Sequence, residues 1–445
     1  MNIVKLITSL QQAASAATTP AEYATLSKAI EKLNVGKVST VPLISGLPTN
    51  LATNGNLYFV TSEADLYYNV GPAWKLLYTN TTNVLYGWGL NDNGRVGDDS
   101  IVSKLSPVTV VGGITNWSKI ASGGGHSLAL TSSGILYSWG GNSYGRLGDG
   151  TTDSRSSPGT VIGGITSWTQ VSAGLNHCVA LTSAGIAYAW GQNFYGNLGD
   201  GTTTERTSPV TVVGSITTWT QVIAAGRHNL GLTSAGVAYA WGQNGNGQLG
   251  DNSTATRSSP VTVVGGITTW SILNGSMTSG QGQGLGITSA GVAYAWGLGT
   301  TGQLGNNAST NRSSPVTVVG GITNWSFLTG GGQNCLGLTS TGVIYGWGGN
   351  TYGSLGDGTT AVRSSPVTVV GGITSWSQIG AGYRRGFGLT STGILYAWGR
   401  NNYGGLGDNT TSNRSSPVTV VGALTNWSSV APGSFHTIAL TTAVA

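Results

Sequence analysis

The groups in this chain that could do acid–base or metal chemistry are few, and they recur at fixed spacing. His126, His177, His228 and His436 each stand nine residues after a tryptophan. The same slot in the other copies of the pattern holds Gln283, Asn334 and Arg385. A catalytic base would not be expected at a position filled so variously, so the slot reads as a hydrogen-bonding loop anchor. Cys178 and Cys335 share a second slot, ten residues after Trp168 and Trp325. They fall in copies on opposite sides of any ring, which excludes a disulfide between them and predicts free thiols. A third series pairs an acid with a base six residues on: Asp98 with Lys104, then Asp149–Arg155, Asp200–Arg206, Asp251–Arg257, Asp357–Arg363 and Asp408–Arg414. The remaining copy has Asn306 before Arg312. These pairs are predicted to brace a loop. No Ser/His/Asp set and no metal-spaced cluster stands out, so no enzyme activity, cofactor or metal is expected.

The elements holding these slots come from an internal repeat. Trp-Gly begins at Trp88, Trp139, Trp190, Trp241, Trp296, Trp347 and Trp398, at intervals of 51, 51, 51, 55, 51 and 51 residues. A second tryptophan column, from Trp117 to Trp427, keeps the same intervals. Each copy reads as four short strands. In the second these are ILYSWG (a), SPGTVI (b), SWTQVSA (c) and HCVALTS (d), with a long loop between a and b. Val, Ile, Tyr and Trp suit strands, and TSAG and VGGIT are short glycine turns. A single four-stranded sheet leaves a face uncovered, so the sheets must stack around an axis as a propeller. Grouping the strands b-c-d-a leaves the last copy without its a strand. The spare strand at 83–89 then closes the ring. The fold class is all-β: a seven-bladed β-propeller of four-stranded blades closed by an N-terminal strand, over residues 83–445.

At WGQNFYGNLGDGTT and WGRNNYGGLGDNTT the repeat resembles that of the regulator of chromosome condensation family. That resemblance implies a seven-bladed propeller, and it covers about four-fifths of the chain. It is weaker for function, because the family includes nucleotide-exchange factors, ubiquitin-ligase modules, a plant photoreceptor and microbial proteins. The loops by which exchange members act on the GTPase Ran have no evident counterpart here. The photoreceptor's clustered tryptophans are also missing: Gly-Leu-Asn-His, Gly-Arg-His and Gly-Tyr-Arg-Arg occupy that slot. Every tryptophan except Trp74 lies in one of the two columns, which reads as blade packing.

Only 7% of residues are charged and the net charge is +5, with no Lys/Arg run, so no nucleic-acid partner is expected. No window is apolar enough to insert in a membrane as a helix. The opening MNIVKLITSLQQAASAA has too short an apolar core for a signal peptide, cut by Gln11 and Gln12. Residues 1–36 read as two amphipathic helices, an anchor or a homo-oligomer seam, the second opened by a capping box at Thr19-Pro20-Ala21-Glu22. Residues 37–82 read as a linker and β-hairpin module. Its segment 54–78 resembles hairpin modules of bacteriophage fibre and virion proteins.

Variation among the copies is confined to the c–d and a–b loops, which share one face. The candidate binding residues there are Leu175, Asn176, Arg227, Gln333, Tyr383, Arg384, Arg385 and Phe435 in c–d positions, and Phe194, Tyr195, Tyr352 and Tyr403 in a–b loops. Exposed aromatics with Asn, Gln and Arg suit glycans or protein surfaces. The leading expectation is a non-enzymatic phage virion surface protein. The N-terminal helices would hold other virion proteins, and the propeller would bind a host-surface receptor or glycan. The alternatives are an intracellular regulator or scaffold binding a protein partner, and a bacterial surface adhesin.

Overall fold

The computed structural model describes residues 83–442 except 215, 277–281 and 423, together with the backbone of four strands before them. The chain divides into two compact units, Met1–Thr82 with Ala443–Ala445, and Asn83–Thr442. In the first unit Leu57–Val60, Asp65–Val70 and Ala73–Tyr78 form an antiparallel meander, and Ser39–Val41 pairs parallel to Leu57–Val60. The hairpin expected at 54–78 is therefore part of a four-stranded sheet. The helices expected over residues 1–36 lie outside the described residues.

The second unit is a propeller of seven four-stranded sheets. In the second blade the order is c (Trp168–Ala173), d (His177–Thr182), a (Ala187–Gly191), b (Arg206–Thr211), all antiparallel. The grouping is thus c-d-a-b, and the expected b-c-d-a is corrected. The long a–b loop returns the chain onto its own blade, whereas the short VGGIT link carries it to the next. Ring closure changes accordingly. Trp427–Pro432 and His436–Thr441 pair with Leu85–Gly89 and Lys104–Thr109, two strands from each end of the unit. Strand c is innermost: Ile120, Val171, Ile223, Phe327, Ile379 and Val430 line an axial channel of about 170 Å³. Strand b is the outer edge, which is why it tolerates proline in Ser-Pro-Val.

Both tryptophan columns pack blades together. The Trp-Gly indoles are fully buried, and each donates from Nε1 to a carbonyl in the preceding blade's a–b loop, as Trp190 does to Arg146 at 3.1 Å. The glycine that follows cannot be replaced: Gly191 has φ of 102°, and a Cβ there would meet the Asn176 carbonyl at 2.6 Å. The second column stacks edge-on against the tyrosine of strand a, with Trp168 and Tyr188 centroids 5.4 Å apart.

Candidate functional site

The acid–base pairs are loop braces. Lys104 and Arg155, Arg206, Arg257, Arg363 and Arg414 reach their aspartates at 2.9–3.7 Å. The asparagine of Trp-Gly-x-Asn, to which sequence reasoning gave no loop role, completes six of the seven loops. Asn193 accepts from the Leu198 amide at 2.9 Å and donates to Asp200 at 3.2 Å. Burial pushes the Asp200 carboxyl up, but bonds from Thr202, Arg206 and Asn193 outweigh it and hold the pKa below the usual value. In the fourth blade Gly299 and Asn306 stand where the others have this asparagine and aspartate, so both partners are replaced together.

The histidine slot is a girdle between blades. The first d-strand residue of one blade reaches the second d-strand residue of the next: His177 to Asn229 at 2.8 Å, and His436 to Ser127 at 2.9 Å across the closing junction. His126 Nε2 lies 3.0 Å from Cys178 Sγ. That pair has the residue types of a nucleophile and its base, yet both side chains are fully buried. Burial pushes the thiol well up, and burial with the nearby Arg146, His177 and Arg95 charges pushes the imidazole well down. Both stay neutral and out of reach of a substrate. Burial likewise takes His177 to about 4 despite the Asn229 bond, His228 to about 3 and Cys335 to about 12. Both cysteines are free.

Arg385 belongs to this girdle and not to the exposed surface where it was expected. It is 2% exposed. It donates to the Gly405 and Gly433 carbonyls at 2.9 Å, to the His436 carbonyl at 3.1 Å and to Thr437 Oγ1 at 3.4 Å. The guanidinium passes where other copies carry Arg95, Arg146, Asn197, Gln248, Gln303 or Ser354, and Gly405 leaves it room. That coupled change is the sequence signal for a buried arginine. Burial, then the Arg400 charge, lowers its pKa to about 9, so it is cationic at neutral pH.

The remaining candidates fall into two groups on the c–d and a–b face. On the first three blades, Phe194 stacks edge-on against Tyr144 at 5.8 Å, and Arg227 lies over Tyr195 at 5.4 Å. Asn176 there accepts from Arg146 at 2.6 Å, beside half-buried Leu175. On blades five to seven the cluster is denser. Arg384 lies 5.0 Å from the Tyr383 ring and 5.2 Å from Tyr352, and Arg400 5.4 Å from Tyr352 and 5.6 Å from Phe435. Tyr383 and Tyr403 each meet Phe435 edge-on, at 5.5 and 5.6 Å. Gln333 is half-buried and joins neither group.

Local backbone presents this cluster. In the sixth blade strand c runs one residue longer, Trp376–Gly382, so Gly382 pairs with Arg385 and Tyr383-Arg384 become a two-residue turn. Arg384 sits at φ of 59°, a left-handed conformation that costs a non-glycine residue energy.

Residues 83–130, 133–181, 184–232, 235–271, 341–386 and 392–440 match the regulator of chromosome condensation (RCC1) repeat. The chain belongs to the RCC1-repeat family. Among its relatives, the Ultraviolet-B receptor UVR8 of Arabidopsis thaliana is 33% identical over 310 residues, covering 68% of this chain and 69% of the receptor. The E3 ubiquitin-protein ligase HERC2 of Homo sapiens is 31% identical over 390 residues, covering 81% of this chain but 8% of the ligase. The structure of human WBSCR16 superposes with a TM-score of 0.73 at 23% identity, covering 82% of this chain and 100% of that one. Prp20p of Saccharomyces cerevisiae, described with its binding to Gsp1p and histones, gives 0.71 at 18% over 82% and 92%. These two likenesses establish the RCC1 fold alone.

The matches overturn the leading expectation. The relatives by sequence are a eukaryotic receptor and a eukaryotic ligase, which removes the phage virion surface protein, its virion location, and the virion-protein and host receptor or glycan partners. The intracellular regulator or scaffold is the reading they favour. This chain spans only 8% of the length of the ligase among them.

Proposed function

We propose that this RCC1-repeat protein is a non-catalytic intracellular regulator or scaffold that binds a protein partner on the c–d and a–b face. The observation that carries this is the pooling of Tyr352, Tyr383, Arg384, Arg400, Tyr403 and Phe435 from loops of three adjacent blades into one stacked cluster. Tyrosine and arginine held rigid at a surface are the residue types that dominate protein interfaces. The opposite face carries near-identical glycine turns, which give a partner little to recognise. Prp20p, of the same fold, is described as binding proteins, and that supports the reading.

The test is affinity capture with three forms of the full chain, quantified by mass spectrometry: the unaltered protein, Tyr383→Ala/Arg384→Ala, and Ala235→Glu in a turn of the opposite face. A partner kept by the first and third forms and lost by the second is the expected result. Equal recovery on all three would overturn the assignment of this face.

A further inference from the structure

The aromatic–arginine cluster surrounds a pit between blades six and seven, lined by Tyr383, Arg385, Arg400, Asn402, Ser434 and Phe435 among others. Its volume is about 10 Å³, room for one water-sized group. Two arginines meet there with no carboxylate. Among the described residues neither Arg385 nor Arg400 has a salt-bridge partner, whereas the rim arginines Arg155, Arg206, Arg257, Arg363 and Arg414 each have an aspartate. Arg385 spends its terminal donors on carbonyls and one hydroxyl, which satisfy its N–H groups and leave its charge uncompensated. Arg400 makes no side-chain hydrogen bond among the described residues; its Nε is enclosed and without a partner. Ser434, 3% exposed, also lines the pit with an unpartnered Oγ.

A buried charge without a counter-ion and idle donors at its mouth describe half of an ion pair. We infer that the pit receives a single carboxylate from a protein partner, with the Arg400 fork and Ser434 Oγ donating to its oxygens and Tyr383, Tyr403 and Phe435 enclosing its stem. A carboxylate offers two coplanar oxygens to a guanidinium fork, the bidentate pairing arginine makes with acidic groups at protein interfaces. Arg384, strained and stacked on Tyr383 and Tyr352, adds positive charge at the rim. This rests on the proposed protein-binding role and names the partner's chemistry: an acidic side chain or a chain-terminal carboxylate.

Fluorescence anisotropy on the full chain tests it with three labelled peptides. One alternates Glu and Gly and is amidated, its counterpart carries Gln for Glu, and the third is the Gln peptide with a free C-terminal carboxylate. At least tenfold tighter binding of one carboxylate peptide over the amidated Gln peptide is expected, and the peptide that binds identifies the source. Arg400→Gln should erase that preference, Arg400→Lys should keep part of it, and Arg312→Gln, at the exposed start of an outer edge strand, should change it less than twofold. Equal binding of all three peptides, or equal losses in the Arg400 and Arg312 variants, overturns the inference. If Tyr383→Ala/Arg384→Ala still abolishes partner capture in that event, the protein-binding role stands and the carboxylate is wrong. If capture is unaffected while the carboxylate preference is present, the proposed partner role fails instead.

Discussion

At the junction of blades six and seven, Arg385 fills the girdle slot, makes four hydrogen bonds and supports a dense surface cluster. At the junction of blades three and four, His228 fills the same slot, and the repeat position at which the other histidines find Cys178, Asn229 or Ser127 is held by Gly284, which offers no side-chain partner. Both His228 ring nitrogens are buried without a partner among the described residues. One repeat position thus serves as a tie in one place and a weak seam in another. What decides is the pair of residues meeting across the junction, since the strand geometry is the same.

The largest consequence concerns acid. The pKa values of His177 and His228, about 4 and about 3, lie below the 6.5 of an unfolded chain. His126 and His436 are lowered too. As pH falls, the unfolded chain therefore takes up protons before the folded one. Stability is full above pH 6.5 and declines as pH falls toward 4. The loss at two units below 6.5 is roughly 2–3 kcal/mol for His177 and for His228. Urea unfolding followed by tryptophan fluorescence at pH 7.5 and 4.5 measures it. The rim aspartates, held low, stay charged over most of this window and do not account for the loss. In His228→Gln the difference between the two pH values should shrink by one histidine's share.

Removing the tie is the next effect in size. Arg385→Ala leaves the Gly405 and Gly433 carbonyls without their donors and opens a cavity, while relieving an uncompensated buried charge. A net loss of roughly 2–4 kcal/mol is expected at neutral pH. Arg385→His, which installs the residue used at four other junctions, should recover part of it. If Arg385→Ala unfolds at the same urea concentration as the unaltered protein, the junction is not a tie.

These two junctions mark where sequence and structure part. Blade number, strand content, the loop braces and the face that varies follow from a 51-residue period and its glycines. Strand grouping did not follow, because a short VGGIT link and a long a–b loop look alike whether a turn stays within a blade or crosses to the next. The site was half legible. Tyr383, Arg384, Tyr403 and Phe435 stand out as departures from the copies, but that they meet depends on loops of three blades converging. Arg385 was placed on the surface because it adjoins Arg384, although strand alternation turns it inward. The partner class was drawn from a 25-residue resemblance outside the propeller, and the matches to the repeats themselves overrule it.

His228→Gln sharpens the comparison at neutral pH. A flexible amide can reach a carbonyl of the neighbouring loop, as Gln283 reaches Gly332 at 3.1 Å. Satisfying a buried polar group that was orphaned should raise stability by about 1 kcal/mol. A loss of stability would show that His228 already has a partner.

The smallest effect belongs to the rim, where arginine recurs but is paired. Arg414 bonds Asp408 at 2.9 Å through a side chain 37% exposed. Water and salt screen such a pair, so Arg414→Ala should change unfolding by no more than about 0.5 kcal/mol. The loop would still be held by Asn401, which donates to Asp408 at 2.8 Å and accepts from the Leu406 amide at 3.0 Å inside the blade. An effect of Arg414→Ala as large as that of Arg385→Ala would mean that charge at the rim, rather than girdle contacts, holds adjacent blades together.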